Sequence, residues 1–483
     1  MSGLPDGWAE TDFGNLFSQI SVNEKKIPAK LYLHKGEYPV IDQGQRFIGG
    51  WSNDITKIIE HDLPLVVFGD HTRCLKFLEK PFAPGADGVK LLRPDTVNRK
   101  WFYHAARGLK YPDKGYARHY KHLKAATIPV PPANEQKRIV AKLETCEARI
   151  DAAREALSDV PKLLEHYRQS VLAAAFRGDL TRHWRTQHPD TEPAEKLLER
   201  LRDERRQRWE QTELEKFEAK GKALPKNWQQ KYKAPLPLTN DQLKELPELP
   251  KGWCWAKCAE ATSALKYGTS AKSQKNGKIP VLRMGNLQDS EIDWDSLVYT
   301  SAPDEIKKYK LPEQAVLFNR TNSPELVGKT SIYRGNPRAI FAGYLIHVET
   351  LESYLPEFIN LVLNSPRAKD WCREVKSDGV SQSNISASKL AEFPVPICPV
   401  DEQSELISVA YNSLELRNSL QRYTNQSTAD LTSLTQSLLA KAFRGKLVPQ
   451  DPHDEPASKL LERIAKERKK DTQKSRKRGS KKS

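Results

Sequence analysis

Residues 169–178 read QSVLAAAFRG, and residues 436–445 read QSLLAKAFRG. Both stretches are rich in Ala and Leu, which are among the best helix formers. Both end in Arg-Gly, and a glycine just past the last helical residue is typical of a helix C-terminus. The two stretches therefore predict two helices of the same kind, ending at Gly178 and Gly445.

The repetition extends outward from these helices in both directions. The matching pairs are LPDGW at 4–8 and LPKGW at 249–253, IPVP at 128–131 and FPVP at 393–396, Glu-Gln at 135–136 and 402–403, and EPAEKLLER at 192–200 and EPASKLLER at 455–463. The order is kept, and the offset stays between 245 (249 − 4) and 267 (402 − 135) residues. A period this long indicates one unit written twice rather than a solenoid.

Each copy begins with a globular part, residues 1–132 and 249–400. Short apolar runs bounded by turn residues, such as 65–68 (LVVF) and 315–318 (AVLF), predict buried strands. A helical stretch is expected over 355–376. The sequence therefore predicts an α+β protein with two mixed α/β domains related by internal duplication.

Each globular part is followed by a repeated helical region, 133–200 and 401–465. Asn134 and Asp401 are predicted N-caps, and Pro161 should start a new helix after a short break. Apolar residues spaced alternately by four and three predict a heptad seam, which Arg417 interrupts in the second copy. Such a seam can also be the core face of a single domain, but its duplication favours pairing of the two regions. The residues predicted to pack between helices are Ile139, Leu143, Ile150, Leu157, Ile407, Leu414, Leu434 and Leu438.

Residues 201–248 are expected to form a charged, proline-rich linker, helical to about residue 220 and irregular beyond. The net charge is +16, which favours a polyanionic partner. Residues 466–483 carry ten Lys or Arg and two acidic residues, and are expected to be a disordered basic tail.

Several classes of protein are disfavoured. The N-terminus lacks the pattern of a signal peptide, no apolar run could span a membrane, and six cysteines do not suggest a disulfide framework. A soluble, cytoplasmic protein is expected. Zinc binding by Cys254 and Cys258 and nucleotide binding at 328–330 each lack the rest of their motif. A nuclease site built on Asp113 and Glu135 is weak, because the Glu-Gln pair is better explained by helix capping.

Polar and basic loops are the best candidates for a binding site. The strand at 65–68 runs into GDHTR (69–73), and the strand at 315–318 runs into NRTNS (319–323). Later loops at 115–123 and 380–385 are basic and aromatic in the first copy and polar in the second. Arg, Asn, Gln, Thr and His offer the donors and acceptors that base edges require. The predicted DNA-binding residues are Gln43, Arg46, His71, Thr72, Arg73, Arg118, His119, Tyr120, Lys121, Arg283, Asn286, Asn319, Arg320, Thr321, Gln382 and Asn384.

The sequence resembles the specificity subunits of type I restriction-modification enzymes. The resemblance rests on the repeated helical segments, PPANEQ at 131–136, VFGDHTR at 67–73, and the segments at 38–41 and 279–283, which look like the openings of the family's target-recognition domains. The resemblance covers nearly the whole chain. It implies two target-recognition domains, each reading half of a bipartite, asymmetric DNA site. It also implies two long antiparallel coiled-coil helices that join the domains and fix the unread spacer.

The resemblance further implies a non-catalytic subunit. Two modification subunits would bring S-adenosylmethionine for adenine methylation, and restriction subunits would bring ATP- and Mg²⁺-dependent cleavage, so neither a cofactor nor a metal is expected in this chain. Two other interpretations remain open. One is a recognition subunit whose single partner chain carries both modification and cleavage, and the other is a coiled-coil scaffold with two protein-binding heads.

Overall fold

A computed structural model describes residues 3–22, 24–86, 88–112, 115, 117–379 and 382–479, with side chains described to residue 470. The chain forms two compact units. Unit 1 comprises residues 1–159 and 424–483, and unit 2 comprises residues 160–423. Each unit therefore combines one globular domain with helical segments from both copies of the repeat. Asp113, which the nuclease hypothesis requires, lies outside the described residues, as do Tyr116, Val380 and Ser381 of the two later loops.

The first globular domain is built mainly of strands. In chain order they are Ala9–Asp12, Phe17–Ile20, Tyr38–Ile41, Gly50–Ser52, Leu65–Gly69, Leu75–Leu78, Ala83–Pro84, Val89–Pro94 and Thr127–Val130, here β1 to β9. Helices α1 and α2 are Arg99–Gly108 and Tyr120–Ala125. Strands β2, β8, β5 and β6 form one sheet in that order, and β4, β3 and β7 form another. The first strand pairs with the last, β1 with β9, and closes the domain.

The helical region that follows begins with a long helix. The helices are α3 (Ala133–Ser158), α4 (Val160–Arg177), α5 (Arg182–Gln187), α6 (Ala194–Ala219) and α7 (Asn240–Lys244). The break before Pro161 and the helix reaching about residue 220 are confirmed. Neither predicted N-cap is correct, because α3 begins at Ala133 after Pro132, and the helix of the second copy begins at Val400.

The second globular domain has its own set of strands. They are Cys254–Lys257, Thr262–Tyr267, Ile279–Leu282, Leu287–Gln288, Glu291–Ile292, Val298–Thr300, Ala315–Asn319, Thr321–Asn322, Thr330–Tyr333, Ile340–Phe341, Leu345–Thr350, Ser377–Asp378, Ser383–Asn384 and Pro394–Ile397, here β10 to β23. The helices are α8 (Cys258–Ala261), α9 (Pro303–Lys308), α10 (Pro356–Asn364), α11 (Pro366–Val375) and α12 (Ala387–Ala391). Two long helices complete the chain, α13 (Val400–Ala442) and α14 (Ala457–Gly479).

The two domains share one strand topology. In the second domain the main sheet runs β11-β20-β16-β18-β14-β13, and its first four strands correspond to β2-β8-β5-β6. Likewise β15-β12-β19 corresponds to β4-β3-β7, and β10-β23 to β1-β9. The central strands β5 and β16 are buried along their whole length, as their apolar sequences predict. The predicted α+β class and internal duplication are therefore confirmed.

The repeated helices are exchanged between the two copies. Leu172 and Ala175 of the first copy belong to the core of the second domain, and Leu439 and Ala442 of the second copy belong to the core of the first. Consistently, the backbone N–H of Ala194 donates to Gly252 (2.9 Å), and that of Ala457 donates to Gly7 (2.8 Å). Each domain is thus completed by the helices of the other copy.

The repeated LPxGW turn and Glu-Gln pair lock together in both units. The indole of Trp8 donates to the carboxylate of Glu135 (2.9 Å), and the indole of Trp253 donates to Glu402 (2.8 Å). Each Gln amide donates to a carbonyl just before its helix, Gln136 to Pro131 and Gln403 to Cys398. The Glu-Gln pair therefore anchors the turn rather than capping a helix. Burial raises the pKa of Glu135.

Within each unit the long helices pack antiparallel. In unit 1, Glu135 contacts Gln450 (2.8 Å) while Arg154, farther along α3, contacts Thr435 (3.4 Å). In unit 2, Glu165 lies 3.6 Å from Arg417, and Thr181 lies 2.6 Å from Glu402. In each unit, rising residue numbers along one helix and the turn beside it lie against falling residue numbers along the other, so the helices run antiparallel.

The seam residues vary in burial, and one prediction is corrected. Leu434 is 46% exposed, because the contact face of α13 near it lies at Leu431, Thr435, Leu438 and Leu439. Of the other predicted residues, Ile139, Leu143 and Ile150 are buried, and Leu157, Ile407, Leu414 and Leu438 are half-buried. Arg417 does not interrupt the seam, because it is only 9% exposed and lies 3.3 Å from Asp289.

The basic segment at the end of the chain differs from the predicted disordered tail. The backbone continues α14 as far as Gly479, since Lys and Arg are good helix formers. Leu460 and Ile464 bury one face of α14 in the core of unit 1. Arg468 donates to Asp95 (2.9 Å) and to the carbonyl of Gly14 (3.0 Å). The predicted disorder is therefore wrong for this part of the segment.

Candidate nucleic-acid interface

In the first domain, two predicted loops meet at the end of the central strand β5. Asp70, the residue after β5, accepts hydrogen bonds from the backbone N–H groups of His119 (2.8 Å, to its carbonyl) and Tyr120 (2.8 Å, to its carboxylate). Asp70 is only 4% exposed, so this junction belongs to the framework. The loop after β5 and the loop before α2, which the sequence analysis named separately, therefore form one surface.

A third loop joins them. The hydroxyl of Thr72 donates to the carbonyl of Gln43 (2.6 Å), and the backbone N–H of His71 donates to the Gln43 side chain (3.3 Å). Arg73 follows with a positive φ of 58°, which turns the chain sharply. We call this surface the first rim. Its members are Gln43, His71, Thr72 and Arg73, which are half-buried, and Arg118 and Lys121, which are exposed.

Arg46 is the remaining predicted residue of this loop region. It is exposed, and its backbone carbonyl accepts from the ammonium group of buried Lys76 (2.6 Å). That contact attaches the loop to β6, whose register brings Lys76 opposite Val67 of β5. The guanidinium of Arg46 is therefore presented on a supported loop.

One predicted DNA-contacting residue of the first domain is fully buried, and a second packs partly against the core. His119 is fully buried, with its Nδ1 atom 3.2 Å from the carbonyl of Asp70, which corrects the prediction for this residue. The Tyr120 ring packs near Phe17 and Phe68, with centroids 6.3 and 6.4 Å away, and burial raises the pKa of its hydroxyl. Tyr120 is half-buried and packs between the core of the domain and the first rim.

The second domain builds the corresponding surface from different side chains. Arg320, the residue after β16, donates to the side-chain oxygen of Asn384 (2.9 Å), whose amide donates to the Thr321 hydroxyl (2.8 Å). The Arg320 guanidinium also lies 4.7 Å from the ring centroid of Tyr267, a cation–π contact. We call Tyr267, Arg320, Thr321, Gln382 and Asn384 the second rim; Gln382 is exposed, and the three side chains from 320, 321 and 384 are half-buried.

The backbone geometry of the two rims is the same. The backbone N–H of Ile385 donates to the carbonyl of Arg320 (2.9 Å), just as that of His119 donates to Asp70 (2.8 Å). In both domains the bond joins the residue after the central strand to the loop before a short helix. The same backbone position is therefore occupied by the buried Asp70 in the first domain and by Arg320 in the second.

The remaining predicted residues of the second domain lie in its framework. Asn286 is 3% exposed and donates to the carbonyls of Asp293 and Asp295 (3.0 and 3.1 Å). Asn319 is fully buried at the last position of β16. These positions correct the prediction that both contact DNA. Arg283 is half-buried and donates to the carbonyl of Ser296 (3.0 Å), which stabilises the same loop as Asn286.

Sequence reasoning missed three residues that support the rims. Tyr267, at the end of β11, lies under Arg320, and its hydroxyl accepts from the backbone N–H of Ala387 (2.8 Å). Lys90 and Lys124 lie 5.5 and 5.9 Å from the ring centroid of Tyr120. Lys90 is on β8, paired with Phe68 of β5, so only the strand register could have revealed it.

In the described part of the chain, no group of three or more His, Cys, Asp or Glu residues could hold a metal ion. Burial raises the pKa of Cys254 and of Cys258 to about 12, so both thiols are protonated at neutral pH. None of the described helices is both long and apolar enough to cross a bilayer.

The chain is similar in sequence to known proteins of one family. Residues 260–409 match the type I restriction modification DNA specificity domain. The specificity subunit of the type I restriction enzyme EcoKI of Escherichia coli strain K12 is 26% identical over 354 residues, which cover 71% of this chain and 64% of that subunit, just under two thirds of its length. The specificity subunit of EcoDI, also from Escherichia coli, is 24% identical over 486 residues, 96% of each chain.

Two solved structures share the fold. One is the HsdS subunit from Thermoanaerobacter tengcongensis, with 17% identity and a TM-score of 0.51, covering 92% of this chain and 98% of that one. The other comes from work on complex assembly and conformational transition of the type I R-M system, with 16% identity and a TM-score of 0.60, covering 92% and 99%. At such identities the likeness concerns the fold alone.

Proposed function

We propose that this chain, which is similar to the specificity subunits of type I restriction-modification enzymes, is such a subunit and recognises a bipartite DNA sequence, one half with each rim. The observation that carries the proposal is the equivalence of the rims. One backbone framework presents Arg118, Lys121, His71 and Arg73 in the first domain and Arg320, Thr321 and Asn384 in the second. Two equivalent scaffolds with different polar side chains suit two different words of DNA.

Arg320 and Asn384 are well suited to direct readout. Arginine pairs bidentately with guanine, and asparagine with adenine, in the major groove. The Arg320 guanidinium donates a hydrogen bond to the side-chain oxygen of Asn384 (2.9 Å), and the Tyr267 ring restrains the guanidinium through the cation–π contact. A restrained pair loses less conformational entropy on binding DNA. Arg320 therefore contributes to the recognition of one half-site.

We further propose that the chain is not itself an enzyme and that modification subunits dock on its helices. In unit 2, α4 and α13 expose apolar side chains at helical spacing: Leu163, Tyr167, Leu416, Leu420 and Tyr423. Exposed apolar faces of this kind mark protein interaction sites. The partner subunits would supply S-adenosylmethionine, ATP and Mg²⁺ chemistry, and base flipping for methylation would belong to them.

The experiment that tests this function is methylation sequencing. The chain and its modification subunits are expressed in a host lacking other adenine methylation, and methylated adenines are mapped. We expect one motif made of two short words separated by a fixed spacer. Arg118→Ala should relax only one word and Arg320→Ala only the other, each by about 1–3 kcal/mol of discrimination at one base pair. Lys307→Ala, exposed on α9, is the control and should change neither word.

Two results would contradict the proposal. Loss of both words in either single arginine variant would show that the rims do not read separate half-sites. Absence of any methylated motif, with the complex intact, would instead favour a scaffold that binds proteins through its two domains.

A further inference from the structure

The segment after α6 is a lysine-rich arm that the two rims do not involve. Between Glu218 and Asp241 the chain carries no acidic residue, and residues 220–233 contain Lys220, Lys222, Lys226, Lys231 and Lys233. All five lysines are exposed, and none of them has an ion pair among the described residues. We call residues 220–233 the lysine arm.

The lysine arm differs from helix α6, which precedes it, in the ion pairing of its cationic side chains. Three cations of α6 pair with acidic residues of the same helix: Arg206 with Glu210 (3.1 Å), Arg208 with Glu204 (3.0 Å) and Lys216 with Glu213 (2.7 Å). Arg202 pairs with Glu260 of the second domain (2.7 Å), whereas none of the arm lysines has an ion pair with a described residue.

Aromatic contacts hold the arm against α6. The Trp228 ring stacks on Trp209 with centroids 5.9 Å apart and an angle of 22° between planes, and the Tyr232 ring lies 5.4 Å from Trp209. Arg205 donates to the Tyr232 hydroxyl (3.2 Å) and lies over its ring. An arm anchored at two points loses less entropy when it binds than a free tail does. The backbone that carries the lysines is therefore held in place by the packing of Trp228 and Tyr232 on α6.

The anchor is connected to the second domain near one end of a rim strand. Arg205 donates to the carbonyl of Thr262 (3.1 Å), the first residue of β11, and the last residue of β11 is Tyr267 of the second rim. Five residue steps along a strand span about 17 Å. Duplex DNA covers that distance in about five base pairs, with one phosphate charge per ~1.7 Å of helix axis.

From these observations we propose that the lysine arm binds the phosphate backbone of duplex DNA flanking the half-site read by the second rim. This inference rests on the proposed function, since it requires a duplex held at that rim. The contact does not depend on the DNA sequence, because the lysine ammonium group interacts with the phosphate as a point charge and does not contact the bases. It adds affinity and salt dependence without changing the recognised words.

The test uses the complex of the full chain with its modification subunits and two duplexes, one with the mapped motif and one scrambled. A variant with all five arm lysines changed to Gln should weaken binding to both duplexes by the same factor. The slope of log K against log salt concentration should fall by about 4.5 in magnitude, since each of the five lost phosphate contacts removes about 0.9. The methylated motif should not change. Lys307→Gln with Lys308→Gln, on α9, is the control.

A second measurement detects directly whether the arm lysines contact DNA. Lysines are labelled with a small amine-reactive reagent, with and without DNA, and mapped by mass spectrometry. Protection of the arm lysines by DNA, but not of Lys307 or Lys308, is the expected result. Unchanged labelling of the arm in a complex that binds its motif would overturn the proposal. So would protection by the modification subunits alone, which would identify an acidic protein surface as the partner. Failure of the unaltered complex to bind DNA would instead overturn the proposed function.

Discussion

At the scale of single residues, the equivalence of Asp70 and Arg320 shows how one backbone framework can present two different side chains. In each case the carbonyl at this position accepts the same backbone hydrogen bond, so the side chain is free to differ. Asp70 turns inward and binds the N–H of Tyr120, whereas Arg320 lies against Tyr267. Specificity at such a position can therefore change by substitution without disturbing the framework.

A residue-scale prediction concerns His347, which lies on β20 and is 7% exposed. Burial lowers the pKa of its imidazole to about 4; neighbouring Glu349 opposes that shift, and Lys266 adds to it. The unfolded chain binds this proton near pH 6.5, so the stabilising contribution is complete above pH 6.5 and is lost as the pH falls toward 4. The loss is about 3 kcal/mol, from ~1.4 kcal/mol per pKa unit.

The measurement for His347 is the free energy of unfolding of unit 2 between pH 7 and 4, by hydrogen exchange. His347→Gln should flatten the dependence in this window, because it removes the titrating group. A variant that keeps the full slope would show that other groups cause the acid sensitivity.

At the scale of elements, the turn after each repeated helix is locked by a glycine. Gly178 has φ of +71°, and a Cβ atom there would lie 2.8 Å from the Trp253 ring and 2.9 Å from Pro250. Gly178→Ala should therefore destabilise unit 2 by both backbone strain and overlap, together roughly 2–5 kcal/mol. Gly221, with φ of +59° and open space around its Cα, is the matched control. Gly221→Ala should cost only about 1–2 kcal/mol, and equal losses in urea unfolding would contradict the packing argument.

The exposed apolar face of α13 carries a second element-scale prediction. Leu420 and Tyr423 are 44% and 71% exposed, so Leu420→Glu and Tyr423→Glu should leave the fold intact. Charges on this face should prevent co-purification with the modification subunits. Asn412→Glu, exposed on the same helix, should not. Normal complex formation by both glutamate variants would exclude this face as the docking surface.

The same helix shows where sequence reasoning reached its limit. Heptad spacing predicted a seam, and Ile139, Leu143 and Ile150 of α3 are buried. It could not predict that Arg417 would lie in the seam, because that requires the carboxylate of Asp289 from a loop of the second domain. Residues of the rims were partly predictable since strand ends carry polar clusters. His119, Asn286 and Asn319 look identical in sequence to exposed loop residues, and only their burial in the folded domains shows that they are interior.

At the scale of the whole molecule, the exchange of helices between copies ties each domain to both helical regions. The second-copy helices complete the first core, and the first-copy helices complete the second. Neither domain therefore keeps its full core if the chain is divided between the copies. Each globular domain therefore depends on helices from both copies of the repeat for its core.

The spacer between the two words should therefore depend on the length of the helices. Four residues inserted after Arg154 in α3, together with four after Thr435 in α13, keep the two facing helices matched, because these residues contact each other at 3.4 Å. Four helical residues add about 6 Å, which corresponds to one or two base pairs at ~3.4 Å each. We expect the methylated motif to keep both words and to gain one or two unread base pairs. Insertion in α3 alone should reduce stability, because it shifts Leu157 and the residues after it by about one helical turn relative to the facing helix. A doubly lengthened chain that methylates the original spacing would show that the helices do not set the distance between half-sites.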